Sequence, residues 1–192
     1  MDVEVPVWIA GVDEAGRGPL VGPVVCAAVI LASGHGIVGL RDSKQLSALE
    51  RERVAALIMR HAHAYSVITV SAADIDCLNI LQATLLGMRL ALDALPFAPC
   101  LALIDGNKIP LQLRCPARAI VKGDQSEACI SAASILAKTH RDALLVELDL
   151  RFPNYGFARH KGYPTVAHLA ALKQYGACPE HRRSFAPVRL LG

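Results

Sequence analysis

The run Trp8-Ile9-Ala10-Gly11-Val12-Asp13-Glu14-Ala15-Gly16-Arg17-Gly18 decides how the chain is read. Its apolar start predicts a strand over residues 7–13. Two adjacent carboxylates close that strand, and a glycine-flanked arginine follows at once. Where a strand ends, neighbouring side chains can point into the same small volume. Two anions that close repel unless a cation stands between them. All-oxygen ligands suit a hard ion such as Mg2+ or Mn2+. The glycines leave backbone amides bare for close approach of a ligand, and Arg17 can reach a phosphate. The stretch therefore fits a metal-dependent site acting on a phosphate. It equally fits an Asp and a Glu that merely close a strand and start a turn.

Outward from this stretch, Val24 to Ala32 is a continuous apolar run inside a second predicted strand, 23–32. The turn between the strands reads G-x-G-x-x-x-G and leads into a strand, which excludes a dinucleotide-binding loop. A short strand near 37–40 would complete a three-strand meander. Ser47-Ala48-Leu49-Glu50 is a capping box that opens a helix. Leu49, Val54, Leu57 and Ile58 form that helix's apolar face. Residues 65–71 read as a strand, followed by Asp74 and Asp76 as helix-cap and first-turn acids and a helix over 78–94. The wholly apolar run 100–104 predicts a central strand, and 117–121 another. A long helix over 126–151 is stopped by Pro153, and a last helix, 165–175, lies between Thr165 and Gly176. Strands alternating with helices predict an α/β fold, with residues 1–192 forming a single domain.

The composition agrees: 53% hydrophobic and only 5% aromatic residues favour α/β over a β-sandwich. Charge is uneven. Residues 151–192 hold seven Lys/Arg and one acid (+6), and residues 1–150 hold 13 bases and 16 acids (−3). An acidic body with a basic C-terminal segment fits a carboxylate site beside a surface that meets a polyanion. The six cysteines form no C-x-x-C pair and mostly sit in apolar runs, as expected for reduced, buried residues of a cytoplasmic protein. No membrane span is expected. The charge-free stretch 18–40 contains five glycines and two prolines, and its continuous apolar part is nine residues, against the roughly 20 a span needs. His61-Ala62-His63 has no further ligand nearby and is not read as a metal site.

Asp13 with Glu14, Asp105 and Asp124 each end a predicted strand beside glycine. In an α/β sheet, neighbouring strand ends converge on one crevice. Carboxylates gathered there with two divalent ions about 4 Å apart make a site that cleaves phosphodiesters. A nucleophilic-serine site lacks its G-x-S-x-G context, and no P-loop is present.

Seven segments carry a resemblance to a known family: Val12-Asp13-Glu14-Ala15-Gly16-Arg17-Gly18-Pro19, Asp42-Ser43-Lys44-Gln45-Leu46, Leu103-Ile104-Asp105-Gly106-Asn107, Val121-Lys122-Gly123-Asp124, Ser131 to Lys138, His160-Lys161-Gly162-Tyr163-Pro164 and His181-Arg182-Arg183-Ser184-Phe185. In this order they resemble bacterial ribonuclease HII. The resemblance implies a ribonuclease H-like fold, a central mixed β-sheet flanked by α-helices. It implies endonucleolytic cleavage of RNA in RNA–DNA hybrids, and 5′ of single ribonucleotides in duplex DNA, leaving 3′-hydroxyl and 5′-phosphate ends. By the same resemblance, Asp13, Glu14, Asp105 and Asp124 are the catalytic residues and hold two ions, Mn2+ or Mg2+. Gly16, Arg17 and Gly18 read the 2′-hydroxyl, the group that tells RNA from DNA. Tyr163 stacks on the next sugar, and Lys44 and Lys161 meet phosphates. A monomer is expected. Longer relatives add a helical tail that supports substrate binding, so the resemblance implies the chemistry of this chain but does not fix its substrate affinity. His181, Arg182 and Arg183 are read as structural or phosphate-facing, and Asp142 as solvent-facing.

Overall fold

The computed structural model describes residues 7–40, 43 and 46–191. Strand β1 (Ile9–Ala15) pairs antiparallel with β2 (Val24–Ile30). Helix α1 (Ala48–His61) follows, and then β3 (Ala64–Val70), antiparallel to β2. Helices α2 (Ala72–Leu78) and α3 (Ile80–Asp93) lead to β4 (Leu101–Asp105), which lies parallel to β1. Strand β5 (Ala117–Ile120) adds in parallel to β4, giving one mixed sheet in the order β3-β2-β1-β4-β5. Beyond it come α4 (Gly123–Ser126), the long α5 (Ala128–Arg151), α6 (Phe157–His160), α7 (Val166–Tyr175) and α8 (Ala186–Leu191).

Strand β2 explains the layering. All seven of its residues are buried, as a strand covered on both faces requires. Val25, Ala27 and Val29 pack against Val54 and Ile58 of α1 and Ala133, Ile135 and Leu136 of α5. Cys26, Ala28 and Ile30 face the other way, against Met88, Ala91 and Leu92 of α3. Helix α5 crosses the sheet at Gly11, where a Cβ would lie 2.1 Å from the Cys129 carbonyl carbon. Only glycine permits that approach, and it brings the next turns of α5 over the end of β1.

Several elements differ from the sequence expectation for physical reasons. Residues 37–40 form no strand: Gly34, Gly36 and Gly39 all have positive φ, and Ile37 fills the core from a loop. The meander is completed instead by β3, after α1. The helix expected over 78–94 is α3, and a separate helix, α2, precedes it, the two meeting at 118° across Asn79. Asn79 has φ 69° and caps α3 through its side chain, which accepts from the amides of Leu81 and Gln82. Helix α5 begins at Ala128, because Glu127, in extended backbone, separates it from a short turn, α4, that Lys122 (φ 58°) opens. The Ser47–Glu50 capping box is present in both directions. Of the cysteines, Cys26 and Cys178 are buried but Cys77 and Cys100 are exposed, and all six are free. His63 stacks on Trp8 at 3.8 Å. Among the described residues, no single helix is long and apolar enough to cross a membrane.

Candidate active site

Strand β1 runs on to Ala15, so Asp13 and Glu14 lie within it and leave on opposite faces. Asp13 stands opposite Ala27, on the α1/α5 side, and Glu14 opposite Cys26, on the α3 side. Because β1 ends there, both still line one cleft of about 460 Å³. Asp105 joins them as the last residue of β4, one step beyond the Val12–Ile104 pair. Its Oδ1 accepts from the Gly123 amide at 2.8 Å, which ties the end of β4 to α4. Asp124, the next residue, is buried in α4.

The three carboxylates are crowded. Burial, then Glu14, then Asp105 hold Asp13 well above the usual carboxylate range, although the Glu14 amide and the Ser134 hydroxyl donate to it. Glu14 is also raised, first by burial; Arg17, 3.5 Å away, opposes that and Asp105 adds to it. Buried anions that repel each other and are all oxygen donors fit a hard divalent cation, which would relieve both strains. Among the described residues, no three His, Cys, Asp or Glu side chains already close around one point. Asp105 faces Gly123 and Glu14 faces Arg17 instead.

The cleft also carries cations. Lys138 and Arg51 line it, yet both pair with Asp142, at 2.7 and 3.1 Å. Asp142 is therefore an internal partner rather than a solvent-facing acid. Arg51 also donates to the Ser43 and Leu46 carbonyls, fixing the approach to α1. Arg17 keeps a half-exposed side chain at the mouth. Tyr163 is 46% exposed, and a Cβ on Gly18 would lie 3.5 Å from its ring.

Of the expected site residues, Asp13, Glu14, Asp105, Gly16, Arg17, Gly18 and Tyr163 thus line one cleft. Asp124 is linked to it through the Asp105–Gly123 bond. Lys161 lines a neighbouring groove of about 260 Å³ instead, its Nζ 3.5 Å from the Asp142 carbonyl. Lys44 and Asp42 lie outside the described residues. Ser134 and Lys138, which the sequence showed only as part of the Ser131–Lys138 segment, and Arg51, which lies off the predicted apolar face of its helix, also line the cleft. Arg182, read as structural or phosphate-facing, is structural: buried together with Arg141, which the sequence did not single out, it holds the Gly16–Pro23 turn by its carbonyls.

A mixed sheet in this order, with carboxylates at the adjacent ends of β1 and β4, defines a protein of ribonuclease H-like fold. The ribonuclease HII family profile matches residues 10–188, so the chain belongs to the ribonuclease HII family. It is similar to ribonuclease HII 1 of Methylibium petroleiphilum, 61% identical over 180 residues covering 94% of this chain and 90% of that one. Ribonuclease HII of Chromobacterium violaceum is 58% identical over 181 residues, covering 94% and 91%. The crystal structure of ribonuclease H2 from Pyrococcus horikoshii superposes with a TM-score of 0.82 at 28% identity, covering 95% of each chain. The protein is accordingly an endoribonuclease of the ribonuclease H class, a metal-dependent family acting on RNA–DNA hybrids.

Proposed function

We propose that the enzyme cuts the RNA strand of RNA–DNA hybrids and also cuts duplex DNA on the 5′ side of a single embedded ribonucleotide, leaving 3′-hydroxyl and 5′-phosphate ends. The observation that carries this is the shared cleft. One wall is the carboxylate cluster, and the other is the Gly16–Gly18 turn with Tyr163. Asp13, Glu14, Asp105 and Asp124 would hold two divalent ions, Mg2+ or Mn2+. When bound, such ions lower the pKa of an attacking water and stabilise a leaving oxygen.

The chain's own residues supply the rest. Asp13, raised by burial, Glu14 and Asp105, and Glu14, raised by burial and Asp105, are driven toward a cation rather than toward solvent. The carbonyls of Gly16 and Arg17 are already taken by Arg182, so the turn offers its amide side to the substrate. An amide donor suits a 2′-oxygen, which a deoxyribose lacks. The Tyr163 ring, beside Gly18, stacks on the following sugar. The Arg17 guanidinium contacts the phosphate. Lys161, in the adjoining groove, and Lys44 meet phosphates further along the strand. The enzyme acts as a monomer, a single catalytic domain with a basic C-terminal segment facing the nucleic acid.

The test is incubation with a duplex carrying one ribonucleotide, alongside the same duplex in DNA alone, with Mg2+, Mn2+ or EDTA. Cleavage 5′ of the ribonucleotide with metal, none with EDTA and none of the all-DNA duplex is expected. Robust cutting of the all-DNA duplex would point to a general two-metal nuclease of similar fold, and silence with both metals would overturn the reading.

A further inference from the structure

Three loops meet beside the cleft: 16–23, which carries the glycine turn, 160–168, which carries Tyr163, and 178–182. Each pair of loops is joined by a buried polar side chain. Arg182 Nη2 donates to the Gly16 carbonyl (2.6 Å), Nη1 to those of Arg17 (3.0 Å) and Pro19 (2.8 Å), and Nε to that of Gly22 (2.9 Å). Arg141 Nε and Nη2 donate to Pro23 (3.1 Å) and Val21 (3.2 Å), and Nη1 donates to Lys161 (3.0 Å). His168 and His181 close the third side, Nε2 to Nε2 at 3.1 Å.

The histidine protons follow from their partners. The Tyr163 carbonyl, 2.9 Å from His168 Nδ1, only accepts, so that nitrogen carries a proton. The Cys178 amide, 3.1 Å from His181 Nδ1, only donates, so that nitrogen is bare. Hence His181 Nε2–H donates to His168 Nε2, and both rings are neutral. Tyr163 is thus held, through two imidazoles, by the same segment whose Arg182 holds the glycine turn.

Arg141, Arg182, His168 and His181 are at most 1% exposed. Both guanidiniums spend their donors on main-chain carbonyls, a use that fixes backbone direction rather than neutralising an acid. Gly16 has φ +101°, and a Cβ there would fall 2.0 Å from Arg141 Nε, so the turn is built against the arginines.

We propose that Arg182 is the positioning residue of the recognition wall. It draws the carbonyls of residues 16–22 inward and so aims the amide side of the Gly16–Gly18 turn, in register with Tyr163, at the substrate sugar. It does so without acting on the carboxylates across the cleft. This rests on the proposed role of the turn. Lysine cannot replace it, because an ammonium lacks the planar fork that reaches four carbonyls at once. Misplacing a positioning group by about 1 Å can cost about 100-fold in rate.

The experiment compares the wild type, Arg182→Lys and the core variant Val54→Ala, the last serving as a control for lost stability. Each is assayed by melting, by kcat and KM on the single-ribonucleotide duplex, and by the Mn2+ concentration giving half-maximal rate. Folded Arg182→Lys is expected to lose ten- to a hundredfold in kcat/KM, with half-saturating Mn2+ within twofold of wild type. Val54→Ala, with a comparable fall in melting temperature, should keep its kinetics. His168→Gln, which leaves Arg182 in place, gives a smaller loss of the same kind and serves alone if Arg182→Lys does not fold. Wild-type kinetics in a folded Arg182→Lys or His168→Gln overturns the proposal. So does a matching loss in Val54→Ala, or a shift in Mn2+ half-saturation that accounts for the rate. If the wild type itself ignores the ribonucleotide, it is the functional reading that fails, not this one.

Discussion

The two walls of the cleft use charge in opposite ways. The wall of Asp13, Glu14 and Asp105 crowds anions whose mutual repulsion and burial are only partly offset. The wall behind Gly16–Gly18 buries two cations, Arg141 and Arg182, and satisfies them with carbonyls. Burial lowers their pKa to about 10 and about 9, Arg182 being pressed further by Arg141, so both stay charged at neutral pH. One wall is thus left unfinished for a ligand, and the other is finished so as to shape a loop. A buried charge that keeps its partners is scaffolding; a buried charge that lacks them is a binding site in waiting.

The largest effect should come from the unfinished wall. Asp13→Asn and Asp105→Asn are expected to lower the rate at least a thousandfold, as removal of a group central to the chemistry does. The same Asp13→Asn change should raise the melting temperature of the metal-free protein at pH 8. Asp13 has a raised folded pKa, so its burden on stability is absent below the ordinary carboxylate pKa, near 3.8, and grows as pH rises through the folded value. A metal-free Asp13→Asn that melts lower than wild type at pH 8 would remove the contrast between the walls.

Next is Gly16→Ala, at the finished wall. A Cβ there has no room beside Arg141 and needs φ +101°, so a loss of about 2–4 kcal/mol in stability is expected, seen as a lower melting temperature. Cleavage should fall at least tenfold in whatever fraction remains folded. An unchanged melting point would mean that the turn does not rest on the arginines.

What could be read in the sequence follows from what has a local signature. Asp105 was visible because an apolar strand ends in Asp-Gly, and Ser47–Glu50 because a capping box is four residues long. Of the buried arginines, Arg141 was not, and Arg182 only as structural or phosphate-facing. His-Arg-Arg-Ser could equally face a phosphate, and the partners of both arginines are carbonyls, which every residue carries. Asn79 hid in the same way, since one positive φ turns α3 away from α2 without altering the composition. Lys161 was read by resemblance as a phosphate contact, and which groove it lines was not legible, since that depends on its left-handed backbone (φ 51°) beside the neighbouring groove. Asp142 read as exposed because its partners, Arg51 and Lys138, come from α1 and one turn back on α5.

The histidines of the finished wall give a pH signature with the opposite sign to that of the carboxylates. Burial, and then His168, holds His181 down at about 4, and His168 is lowered too, again by burial first. Groups kept neutral in the fold but free to protonate when unfolded cost stability as pH falls below about 6.5 and toward 4. The melting temperature should therefore drop through that window, and drop less steeply in His181→Gln after allowance for its lower starting value. An equal slope in both would show that the imidazole pair is not held neutral.

The smallest effect is expected where the two walls meet. Arg17 gives its carbonyl to Arg182, while its half-exposed guanidinium lies 3.5 Å from Glu14. An exposed pair of that length contributes at most about 1 kcal/mol, so Arg17→Gln should leave the melting temperature within about 2 °C. Its weight should appear in substrate binding instead. A single lost phosphate contact raises KM about tenfold at low salt and lowers the slope of log affinity against log salt by about one. A large fall in kcat with KM unchanged would instead place Arg17 with the carboxylates, as a charge that acts on the reaction rather than on the grip.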